Sequence, residues 1–71
     1  MKKERLIMTR DINIDNRSIV FSGRREWFEV YRFDDRSCMF DIECGDEYKQ
    51  SITLSPAEAT KLREWLVSEG Y

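Results

Sequence analysis

Two acidic pairs and two cysteines are the side chains of this 71-residue chain that could do covalent or acid–base chemistry. Asp34-Asp35 and Asp46-Glu47 have the composition of a catalytic carboxylate pair, in which one member holds a proton that the other has lost. Such a division needs a pocket that drives two pKa values apart. Both pairs instead fall in turn-forming stretches, Asp34-Asp35-Arg36-Ser37 and Gly45-Asp46, where carboxylates stay solvated. Cys38 and Cys44 are the only cysteines. On one strand they would stand roughly 20 Å apart, beyond disulfide reach, and two unpaired thiols fit a reducing compartment. The chain has no histidine, which removes the usual base of nucleophilic catalysis and leaves zinc only cysteines and carboxylates. Gly23, Gly45 and Gly70 are isolated turn or cap residues and form no phosphate-cradling loop. The expectation is a non-enzymatic chain with no cofactor and no metal.

Binding chemistry is better represented. Trp27, Glu29, Tyr31 and Phe33 alternate with Phe28 and Val30, so one side of a strand carries three aromatic residues. Met39 and Asp41 of the next strand join that side, while Arg24 and Arg25 precede it at a turn. A sheet face with three aromatics and a methionine exceeds the scatter of surface apolar residues. Trp27, Tyr31, Phe33, Met39, Arg24 and Arg25 are therefore the candidate partner-binding residues. Three covers for this face stand side by side: the segment around Leu6-Ile7-Met8 (residues 5–8), a second copy of the chain, or a different partner.

Five strands and a helix must position these residues. Asp11-Ile12-Asn13-Ile14-Asp15 alternates cleanly, and Asp15-Asn16 turns the chain into Ser18–Ser22. Gly23 gives the next reversal, Glu26–Phe33 a long strand, and Cys38–Glu43 a fourth. Tyr48–Leu54 follows the Gly45-Asp46 turn. The strongest local signal is Ser51-Ile52-Thr53-Leu54-Ser55-Pro56-Ala57-Glu58: strand alternation, then a Ser cap, a Pro at the first helical position and a capping-box Glu. The helix is expected over about 56–69 with Gly70 as its left-handed cap. Ala59, Leu62 and Leu66, with Trp65 beside them, form its apolar stripe. The fold class is α+β: an antiparallel four- to five-stranded meander within residues 6–54, packed against one C-terminal helix, in a single domain over 1–71. Phe28, Val30, Phe40, Ile42, Ile52 and Leu54, with Cys38, should meet the helix as core.

Bulk properties narrow the partners. A hydrophobic content of 41% with 13% aromatics belongs to a folded domain, and no apolar run approaches the roughly 20 residues of a membrane span. Leu6-Ile7-Met8 is too short for a secretion signal, so a cytoplasmic location is expected. The net charge of −2 hides an asymmetry: residues 1–36 hold nine Lys/Arg against seven Asp/Glu, residues 37–71 three against seven. A core this small leaves little net stability, so a homodimer is expected as well.

Three segments give the chain a resemblance to the positive cofactor four family of single-stranded-DNA-binding transcriptional coactivators. Gly23-Arg24-Arg25-Glu26-Trp27-Phe28-Glu29-Val30 resembles its first strand, Phe40-Asp41-Ile42 the centre of its second, and Ser51–Pro56 with Leu62 its strand-to-helix junction, across residues 21–66. The resemblance implies a curved antiparallel sheet and a dimerising helix, which here points to Trp65 and Leu66 as dimer contacts. It also implies that Arg24, Arg36, Lys49 and Phe33 stand where the family grips DNA, whereas Asp34 and Glu43 put acids at basic positions. The leading expectation is a non-catalytic protein-binding module, a small inhibitor or adaptor of the phage or mobile-element kind acting on a host protein or defence complex. Single-stranded nucleic-acid binding is the alternative, with Arg24, Arg25 and Arg32 as cations and the aromatics as stacking platforms.

Overall fold

A computed structural model of the chain describes residues 10–71. Five strands follow one another, β1 (Asp11–Ile14), β2 (Ser18–Ser22), β3 (Glu26–Arg32), β4 (Cys38–Cys44) and β5 (Tyr48–Leu54), and one helix closes the chain, α1 (Pro56–Ser68). The sheet is an antiparallel meander in the order β1-β2-β3-β4-β5. Expected and observed strands differ by a residue at some ends. Phe33 falls outside β3 because its N–H already closes the turn onto Ser37 O (2.9 Å).

The hairpin turns are built by local side-chain chemistry. Asp15 Oδ1 accepts from the N–H groups of Arg17 (2.8 Å) and Ser18 (2.7 Å), and Asp35 Oδ1 accepts from Ser37 N–H (2.9 Å) and its hydroxyl (2.6 Å). These short acceptors replace backbone partners that the turns cannot supply. Gly45 opens the β4–β5 turn at φ 65°, a left-handed conformation, and its N–H donates to Arg25 O (2.7 Å).

Register sorts the sheet into two faces, since directly opposed residues share a side. On the first face Phe21 opposes Phe28, Phe28 opposes Ile42, Val30 opposes Phe40, and Phe40 opposes Ile52. Ile12 and Ile14 of β1 extend it through Phe21 and Ile19. Three rings run diagonally across it: Phe21 and Phe28 at 5.9 Å, Phe28 and Phe40 at 6.2 Å, both tilted. The second face carries Trp27, Glu29 and Tyr31 against Glu43, Asp41 and Met39. The parity expected for Phe28, Val30, Phe40, Ile42, Ile52 and Leu54 is the parity observed.

Their cover is not. The helix was expected to close that face into a core, yet no described residue is buried and α1 touches the sheet chiefly at β5. Ile52 of β5, four residues before the helix begins at Pro56, is still 61% exposed. The cause is the junction itself. A single residue, Ser55, joins β5 to α1. Its side chain accepts from Glu58 N–H (3.2 Å), while the Glu58 carboxylate accepts from Ser55 N–H (2.9 Å). That reciprocal capping box, followed by Pro56, fixes the exit direction of the helix. Only its first half leans on the sheet: Ala59 and Leu62 are half-buried, and every residue from Arg63 onward is exposed.

The far end of α1 is closed by its own backbone. Tyr71 N–H donates to Leu66 O (3.0 Å) and Gly70 N–H to Val67 O (3.0 Å), with Gly70 at φ 96°. This is the paired-bond left-handed cap that the sequence promised. No described helix is long and apolar enough to cross a membrane.

Candidate functional site: the aromatic and acidic sheet face

The second sheet face brings some of the expected binding residues together and separates others. Tyr31 and Met39 oppose each other across β3 and β4, and Phe33 packs its ring edge-on to Tyr31 at 5.2 Å and 73°. These three form one apolar cluster. Trp27 lies on the same face of β3 but four residues back, roughly 13 Å along the strand. Arg24 and Arg25 stand at its end, in the β2–β3 turn. Both are exposed, and Arg25 Nη2 reaches Asp46 Oδ2 only at 4.0 Å.

Between the two aromatic groups lies a feature that was not among the expected site residues. Glu29 directly opposes Asp41, and Glu43 opposes Trp27 on one side and Lys49 on the other. Two carboxylates facing each other across a ladder stand about 4.5–5.5 Å apart at Cβ and repel. Both are half-buried, and among the described residues neither makes an ion pair. The strand alternation gave their side, since Glu29 falls between Trp27 and Tyr31. Their opposition depends on the β3–β4 register, which the sequence leaves open.

Arg32 is placed differently from its expected role. Adjacent residues of a strand point to opposite sides, so Arg32 opposes Cys38 on the first face and cannot flank the aromatics. Its guanidinium instead donates to Asn16 O (3.4 Å). Arg17 is tied to Asp34 (2.6 Å). The acidic pairs that could have done catalysis are likewise accounted for at the surface. Asp34, Asp35, Asp46 and Glu47 are all exposed, and the hydroxyl and N–H of Ser37 hold the Asp35 carboxyl below its ordinary range. That is the direction opposite to a proton-holding acid. Cys38 is half-buried and Cys44 exposed, both as free thiols at the two ends of β4.

On the first face, at the end remote from α1, there is an open hollow of about 360 Å³. Phe21, Phe28 and Ile42 line it together with Trp27 and Glu43 of the opposite parity, and Arg10, also in its lining, is paired to Glu26. The strand pattern that placed Phe28 and Ile42 also predicts Phe21 there, once β2 is set in register. Residues 5–8, one of the three covers weighed for the opposite, aromatic face, lie outside the described residues. Comparison with family models, with curated proteins and with solved structures gives no significant match for this chain.

Proposed function

We propose that this chain is a non-catalytic protein-binding module whose working surface is the Trp27–Tyr31–Met39 face, and that its partner presents basic side chains. The observation that carries the reading is the Glu29–Asp41 opposition between two aromatic groups. Like charges set opposite one another weaken the sheet locally, by about 0.2–1 kcal/mol. An incoming Arg or Lys relieves that repulsion and stacks its stem on Trp27 or Tyr31. A phosphate backbone would do the reverse, adding negative charge where two carboxylates already repel. The same face therefore favours a basic polypeptide over a nucleic acid. A small inhibitor or adaptor of the phage or mobile-element kind would use such a face to occupy a basic site on its target.

The resemblance to single-stranded-DNA-binding coactivators supplies the competing reading, supported by Arg24 and Arg25 beside Trp27. One titration separates the two. With Trp65→Phe removing the second indole, Trp27 fluorescence is followed against an arginine-rich peptide and against oligothymidylate. The expected result is quenching by the peptide, lost in Glu29→Lys/Asp41→Lys, and no nucleic-acid binding tighter than micromolar at physiological salt. Nanomolar, salt-sensitive binding of the oligonucleotide to the unaltered face would overturn the protein-binding reading.

A further inference from the structure

We infer that the outer edge of β5 is a docking site for an extended basic segment of the partner. The segment adds to the sheet as a sixth strand and sends an arginine across Ser51 to the Glu29–Asp41 pair. This holds only if that face takes a basic polypeptide, as proposed above. β5 ends the sheet, and Tyr48 to Thr53 are all exposed. Alternate residues of an edge strand point N–H and C=O groups outward without a ladder partner. Among the described residues this edge has little of the usual protection. β5 is seven residues long, has no proline, and carries Lys49 as its only charge. Its register with β4 is unbroken from Cys38–Leu54 to Cys44–Tyr48, so no bulge turns the edge away.

Charge decides the occupant. Asn13, Val20, Glu29, Asp41 and Ser51 form one row across the second face. A residue opposite Ser51 on an added strand stands two strand spacings from Asp41, roughly 10 Å. Ser51 is small, so a guanidinium passes over it and offers its planar fork to the half-buried Asp41 carboxylate. From the β1 edge the pair is three spacings away, roughly 14 Å at Glu29, behind Asn13 and the branched Val20. Lys49 is the next residue on the same side of β5, so the partner's residue opposite it must not be a cation. Ile52, 61% exposed, favours an apolar residue beside it on the other side. A nucleic acid has no peptide backbone to complete this ladder.

A capped heptapeptide, TVVRTQT, tests the edge by NMR titration of the full chain. Laid antiparallel on β5, it sets its arginine opposite Ser51 and its glutamine opposite Lys49. Hydrogen exchange should slow at alternate amides of β5. N-methylation at alternate peptide residues should abolish binding in one phase and spare it in the other, since only one set of N–H groups points at the edge. Replacing the peptide's arginine by alanine, or Ser51→Lys in the protein, should weaken binding about tenfold. Ser51 is exposed, so its variant should keep the native far-UV spectrum. Equal behaviour of the two N-methylated peptides, or binding without slowed exchange in β5, would overturn edge addition and leave a basic partner on the face. An alanine peptide as tight as its parent would overturn the place given to the arginine. If neither this peptide nor an arginine-rich one binds at millimolar concentration, the reading of the face falls and the edge site with it.

Discussion

At single residues the chain spends its charge on turns rather than on chemistry. Asp15 is held below its ordinary carboxyl range first by Arg17 N–H, then by the N–H and hydroxyl of Ser18; Asp35 is held down by the Ser37 hydroxyl and then its N–H. Both folded pKa values lie below the ordinary 3.8, so each turn contributes stability that is complete above the unfolded pKa. That contribution is lost as pH falls through the lower, folded value. Urea midpoints should therefore decline below about pH 4, and Asp15→Asn/Asp35→Asn should flatten the decline. An unchanged acid limb in the double variant would remove these turns as its cause. Gly45 makes a different demand. At φ 65°, with the Arg25 guanidinium 3.2 Å from where a Cβ would stand, Gly45→Ala should cost about 1–2 kcal/mol, read as a lower chemical midpoint at constant slope.

At the scale of elements, order and parity were readable because each rests on local chemistry. Ile12 and Ile14, Ile19 and Phe21, and Phe28 and Val30 alternate at period two, and Ser55-Pro56-Ala57-Glu58 is a complete helix start. Helix placement was not readable. An amphipathic stripe states that Ala59, Leu62 and Leu66 want cover, but not whose surface provides it. The Glu29–Asp41 opposition was hidden for a related reason: it follows from inter-strand register, which the turn at Asp34–Ser37 sets through Arg36 at φ 75°. Because α1 is held mainly through β5, its cap carries an unusual share of its stability. Ser55→Ala should cost about 1 kcal/mol. In dilute solution the loss should appear as early helix fraying at 222 nm, ahead of the sheet transition reported by Trp27 in a Trp65→Phe background. Coincident transitions would show the helix to be locked to the sheet more firmly than its contacts indicate.

For the whole molecule, the missing quantity is buried area. Among the described residues only α1 lies over the first face, chiefly at β5, so none of them is completely buried, and the exposed apolar surface is a standing cost of the single copy. Phe40→Ala makes the point quantitatively. In a closed core it would cost about 3–5 kcal/mol, but a half-buried ring in one copy loses roughly half of that, about 2 kcal/mol. A second chain covering the face would supply the remainder. Stability should therefore depend on concentration: mass action favours the associated folded state, and Tm should rise by a few degrees for each tenfold increase in protein. The dependence should survive high salt, because the surfaces brought together are apolar, whereas occupation of the Glu29–Asp41 face by a basic peptide should weaken as salt screens it. Thermal scans of the native chain and of Trp65→Glu/Leu66→Glu over three decades of concentration provide the measurement. The native Tm should climb and that of the variant stay flat and lower, with Phe40→Ala losing more at high concentration than at low. A native Tm independent of concentration would mean that the single copy carries all of its own stability, and the first face would then need no second chain.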